Sequence, residues 1–158
     1  MPRKKTVSLQ RRIVPDRLYN SELVQRLINK VMMSGKKTLA ERLVYRALDE
    51  IAKKSKADGL EVLEAAIKNV SPVLEVKSRR VGGATYQIPF EVKGTRQVHL
   101  ALMWLIQSVR AKKGKAFEQK LADEIMAAFN NTGDAVKKKQ DTHKMAEANR
   151  AFAHLARF

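Results

Sequence analysis

EVKSRRVGGATYQIPFEV, residues 75–92, is the stretch that decides the fold. Leu74 and Val76 stand before the Gly82-Gly83 pair, and Ala84, Tyr86, Ile88, Phe90 and Val92 follow it at every second position. That is the period of a strand with one covered face. A two-residue hairpin turn requires positive φ at its centre, which glycine reaches without a side-chain clash. The segment at about 73–92 therefore predicts one antiparallel ribbon. Pro89 cannot donate to a ladder and implies an exposed edge. A two-stranded ribbon alone is marginal in water, so it must lean on helices while its outer half projects.

On both sides the period changes to that of a helix. Leu23, Val24, Leu27, Ile28, Val31 and Met32 form one stripe ending at Ser34-Gly35, which predicts a first helix. Thr38 and Glu41 have capping-box spacing ahead of Leu39, Leu43, Val44, Leu48 and Ile51, a second helix whose Lys53-Lys54 end suits its dipole. Asp58 is placed to cap a third, with Leu60, Leu63, Ala66, Ile67 and Val70 inward and Ser71-Pro72 closing it. After the ribbon, Thr95 is positioned as a cap for Val98, Ala101, Leu102, Leu105, Ile106 and Val109. Phe117, Leu121, Ile125 and Phe129 mark a fifth helix, and a sixth starts near Asp134 with an apolar edge of Met145, Ala148, Phe152 and Leu155. The expected fold is mainly α, a bundle-like body of six helices with a protruding two-stranded β-hairpin between the third and fourth. Residues 1–17 predict a flexible basic arm and residues 18–158 a single helical domain.

The charge of that body narrows its function. The chain has 158 residues with 32 Lys and Arg against 16 Asp and Glu, a formal net charge of +16, and no cysteine. Self-repulsion of this size weakens a compact state unless a polyanion neutralises it, and nucleic acid is the commonest one. An anionic membrane is the other candidate, but the sequence has neither an apolar span of about 20 residues nor a cleanly divided basic and apolar helix. Without an apolar leader the chain is expected in the cytoplasm. Arg3, Lys4, Lys5, Arg11, Arg12 and Arg17 crowd the arm against the single acid Asp16, more cation than a merely solvated tail carries.

Residues for catalysis are missing. His99, His143 and His154 lack ligand spacing with one another, and Gly82-Gly83 lacks the Gly-Lys-Ser/Thr ending of a phosphate-cradling loop. The pairs Asp49-Glu50 and Asp123-Glu124 lie on helices rich in opposite charge, where intrahelical pairing or solvation is the ordinary outcome. The chain is thus expected to be no enzyme and to need no cofactor or small-molecule substrate. Lys77, Arg79 and Arg80 stand before the ribbon turn with Tyr86 and Gln87 returning opposite. These are phosphate-pairing cations beside a stackable ring and an amide, a set that suits irregular RNA. A purely structural hairpin also keeps charge on its open face to discourage edge pairing.

Residues 75–92, MMSGKKTLAERLVYRAL (32–48), LALMWL (100–105) and the terminal MAEANRAFAHLARF together resemble the bacterial-type family of small-subunit ribosomal protein seven. The resemblance spans nearly the whole chain and implies the architecture already reached from periodicity. It further implies a structural protein of the 30S subunit that binds the 3′ major domain of 16S rRNA and nucleates assembly of the head. The expected surroundings are exit-site tRNA, the messenger path and neighbouring head proteins, with tRNA contact and repression of its own messenger as further properties of the family. By position, RNA contact is implied for Arg3, Lys4, Lys5, Arg11 and Arg12 of the arm, for Lys36 and Lys37, and for Arg96. On the ribbon it falls to Arg79, Arg80, Gly82, Gly83 and Tyr86, beside Lys77 from the reading above. Gln97 and Met103 depart from the arginines that relatives often carry, and the C-terminus stops soon after Ala153-His154. A DNA-binding regulator is the rival reading, but a ribbon plus an arm suits irregular RNA better than a repeated groove. A nucleic-acid-processing enzyme is disfavoured by the absence of clustered acids.

Overall fold

The computed structural model describes residues 13–157, and the expected contacts Arg3, Lys4, Lys5, Arg11 and Arg12 lie outside them. Its helices are α1 (Glu22–Val31), α2 (Lys37–Ser55), α3 (Gly59–Val70), α4 (Thr95–Ala111), α5 (Phe117–Phe129) and α6 (Asp134–Ala148), followed by a 3-10 tail (Arg150–Arg157). Strands β1 (Leu74–Val81) and β2 (Ala84–Glu91) lie between α3 and α4. They pair antiparallel from Leu74 opposite Glu91 to Val81 opposite Ala84. Gly82 and Gly83 make the turn at φ +57° and +91°, the positive values such a two-residue reversal requires. Pro89 faces Val76 at a position that contributes no donor to the ladder.

The core is helical. Val24, Leu27 and Ile28 of α1 lie in one buried cluster with Val44, Leu48 and Ile51 of α2, Leu63 and Ala66 of α3, Leu105 and Val109 of α4, and Leu121 and Ile125 of α5. α5 packs on α2, α3 and α4, and α6 crosses to the root of β1. Asp58 caps α3 as expected, accepting a bond from the Leu60 N–H at 3.1 Å.

Several local expectations are corrected. Thr38 is not a cap: α2 begins at Lys37 behind Lys36, which makes no side-chain cap bond, and Glu41 pairs with Lys37 at 3.8 Å. Gly94, not Thr95, holds the cap position of α4. Leu39 is 46% exposed because Ala40 and Val44 carry the buried stripe instead. Phe129, the expected end of the α5 stripe, is also exposed, and Ala128 is buried in its place. The sixth helix does not run on to Leu155. It ends at Ala148, Met145 and Ala148 are exposed while Ala146 is buried, and Phe152 and Leu155 belong to the 3-10 tail. This tail packs along β2, so the ribbon is supported from the C-terminal side while its tip stands clear.

Candidate nucleic-acid interface

The ribbon supplies the most prominent basic feature. From Lys77 to Gln87 every residue is exposed except Val81 and Tyr86, which are half-buried. Directly opposed residues of an antiparallel pair share a face, and the register sorts the expected site accordingly. Arg79 lies opposite Tyr86 and Lys77 opposite Ile88, while Arg80 lies opposite Thr85 and Ser78 opposite Gln87. Ile88 is fully buried, so the first face turns toward the body and the second toward solvent. Arg80 and Gln87 thus share the open face, and Tyr86 is on the other. The Tyr86 ring meets Phe152 of the 3-10 tail, with centroids 5.2 Å apart and planes tilted by 48°.

At the root, Glu75 organises two of the expected RNA contacts. Its carboxylate accepts from Arg96 Nε at 3.2 Å and Nη2 at 3.0 Å and pairs with Lys77 Nζ at 2.6 Å. Lys77 also lies 5.3 Å from the centre of the Phe90 ring. Burial alone would raise the Glu75 pKa, but the bonds from Lys77 and Arg96 outweigh it and hold the carboxyl below its ordinary range. Arg96 and Lys77 remain half-exposed, so one acid fixes their positions while the trio keeps a surplus positive charge.

The helical body adds two basic surfaces. Lys36 and Lys37 are exposed at the start of α2, where the turn through Ser34 and Gly35 runs at positive φ. Between α1 and α4 a cleft of about 290 Å³ is edged by Arg26, Lys30, Thr95 and His99. Lys30 Nζ lies 3.4 Å from His99 Nε2. Burial, then the cations Lys30 and Arg96, push the His99 pKa down, so a neutral imidazole accepts the lysine bond. Arg26, Lys30 and His99 were not anticipated as one site, because only the crossing of two helices unites them.

Asp16 was also missed. It is buried beneath Tyr45 and accepts from the amides of Leu18, Tyr19 and Ser21 at 2.9–3.0 Å and from the Tyr45 hydroxyl at 3.3 Å. Burial would raise its pKa, but these bonds together lower it. The chain is therefore anchored to α2 several residues before α1 begins. Glu124, expected to be solvated or paired within its helix, is instead fully buried, bonded to Lys112 and to the Ala135 amide at 2.9 Å. It ties α5 to the start of α6.

Among the described residues no three His, Asp or Glu side chains are grouped to hold a metal ion, and no helix is long and apolar enough to cross a membrane. A profile of the ribosomal protein S7p/S5e family matches residues 2–150. The chain belongs to that family. It is similar to the small ribosomal subunit protein uS7 of Thermotoga neapolitana, 60% identical over 145 residues, covering 92% of this chain and 94% of the relative. The proteins of the same name from Chloroflexus aggregans and Caldicellulosiruptor saccharolyticus are 57% and 59% identical, and in both cases about 98–99% of each chain is covered.

Proposed function

We propose that this chain is a structural protein of the small ribosomal subunit that binds 16S rRNA without catalysing a reaction. The observation that carries the reading is the ribbon: a basic finger, exposed from Lys77 to Arg80 and around Gly82-Gly83, on a chain with a net charge of +16. Duplex DNA presents a regular groove to a helix or short ribbon, whereas junctions and loops of folded RNA accept a finger and several separate basic patches. The finer reading follows the family resemblance: contact with the 3′ major domain, nucleation of head assembly, and a ribbon near exit-site tRNA and messenger. Contact with tRNA, neighbouring head proteins and repression of its own messenger belong to the same proposal.

Arg3, Lys4, Lys5, Arg11 and Arg12 add a basic arm, and Lys36, Lys37, Lys77, Arg79, Arg80, Tyr86 and Arg96 add contacts from the folded part. If about 6–10 phosphates are neutralised, affinity for a 3′ major domain fragment should fall roughly 10³–10⁵-fold from 50 to 200 mM salt. Filter binding across that range checks this. A flat response, or equal affinity for random duplex DNA, removes the proposal.

A further inference from the structure

Among the described residues, an aromatic contact fastens the outer ribbon to the 3-10 tail. Asn149 closes α6 twice, through its amide at 3.2 Å and its side chain at 2.8 Å, both to the Met145 carbonyl. The Phe152 amide then bonds the Asn149 carbonyl at 3.0 Å, which directs the Phe152 ring onto Tyr86. Tyr86 is the register partner of Arg79, and Arg80 follows on the opposite face. The root has its own restraint in Glu75, but that acid lies four residues before Arg79 and cannot set the twist of the tip.

We propose that Phe152 is a positioning residue for RNA binding: its contact with Tyr86 holds the outer ribbon so that Arg79 and Arg80 are presented in a fixed geometry. A two-stranded ribbon has little stability of its own, and ordering it on contact would subtract from affinity. Fastening it beforehand removes that subtraction. The ring is itself half-buried in the ribbon contact, so the role assigned to it is support and not direct recognition. This inference rests on the RNA-binding reading above.

The test compares the full-length chain with Phe152→Ala, Phe152→Tyr and Arg80→Ala, using a 3′ major domain fragment of 16S rRNA and amide exchange of the free proteins. Phe152→Ala should weaken binding roughly threefold to tenfold, the worth of an aromatic pair. It should speed exchange in residues 74–91 and leave the core helices unchanged. Its salt slope should match that of the wild type, because no phosphate contact is lost. Arg80→Ala should instead flatten the slope by about 1. Phe152→Tyr keeps the ring and should restore both affinity and protection. Unchanged binding and ribbon exchange in Phe152→Ala would overturn the inference. Tighter binding would overturn it too, since the ring would then be shielding Tyr86 from RNA. If the wild-type chain ignores the fragment, the RNA-binding reading fails with it, and the exchange data, which need no RNA, tell the two failures apart.

Discussion

His143 shows how a single side chain joins two parts of the molecule. Its Nε2 accepts the Val73 N–H at 3.1 Å, so α6 holds the segment that leads into β1. Acceptance requires the neutral ring. Burial, then the neighbouring Lys139 cation, lowers the His143 pKa, and the unfolded chain therefore binds a proton more readily than the folded one. The stabilisation is complete above the unfolded value, about 6.5, and is lost as pH falls through the folded value. Urea unfolding at about pH 7.5 and about pH 5.5 should show the wild type losing more stability than His143→Gln, by at most about 1 kcal/mol, the net worth of one such bond. Equal losses would rule out His143 as the source. Asp16, Glu75 and Glu124 share with His143 a property that escaped the sequence: each is defined by a partner that folding brings near. Glu75 looks like any strand acid until Arg96 arrives from α4, and Glu124 looks like an ordinary helix acid until Lys112 and the Ala135 amide close over it.

The glycines separate two demands made on the elements. Gly82 and Gly83 have open space where a Cβ would stand but positive φ, so a side chain there meets backbone strain and no neighbour. Gly59, the first residue of α3, is the reverse: a Cβ would lie 2.7 Å from the Leu48 carbonyl oxygen. Backbone cannot withdraw as a flexible side-chain end can, so Gly59→Ala should force α2 and α3 apart. The expected cost is about 1–3 kcal/mol, read as a lower urea midpoint with an unchanged slope, and no loss would show that the two helices have room to separate. The hairpin was legible because Gly82-Gly83 interrupts a two-residue period. α1, α3 and α4 were legible because their apolar residues repeat at helical spacing. The end of α6 was not, since Met145, Ala148, Phe152 and Leu155 are spaced just as a continuing helix would space them. The start of α2 also failed to announce itself, because Lys36 carries no capping group while Thr38 and Glu41 imitate one.

At the scale of the whole molecule, the surplus of cations makes folding and binding a linked pair. Helix-to-helix ion pairs such as Lys54 with Asp123, at 2.9 Å, offset some repulsion, but acids are outnumbered two to one. A bound polyanion should complete the compensation. With an rRNA fragment at about 100 times its Kd, linkage adds about 2.7 kcal/mol, which for a chain of this length corresponds to a rise in Tm of roughly 5–10 °C. Calorimetry with and without the fragment checks this, and an unchanged Tm would contradict coupling between fold and RNA. Overall class and charge were readable from composition and periodicity. How the cations divide between the two faces of the ribbon, the α1–α4 cleft and the start of α2 was not, because that division depends on register and helix crossing.

The Glu75 junction with Arg96 and Lys77 has a mechanical consequence. Eight residues at about 3.4 Å each make the ribbon a lever roughly 27 Å long, so a swing of about 5° at the root moves the Gly82-Gly83 end through an arc of roughly 2 Å, several times the margin that separates a good hydrogen bond from none. One carboxylate close to the fulcrum therefore sets the angle at which the lever leaves the body, while its outer twist is left to the C-terminal tail.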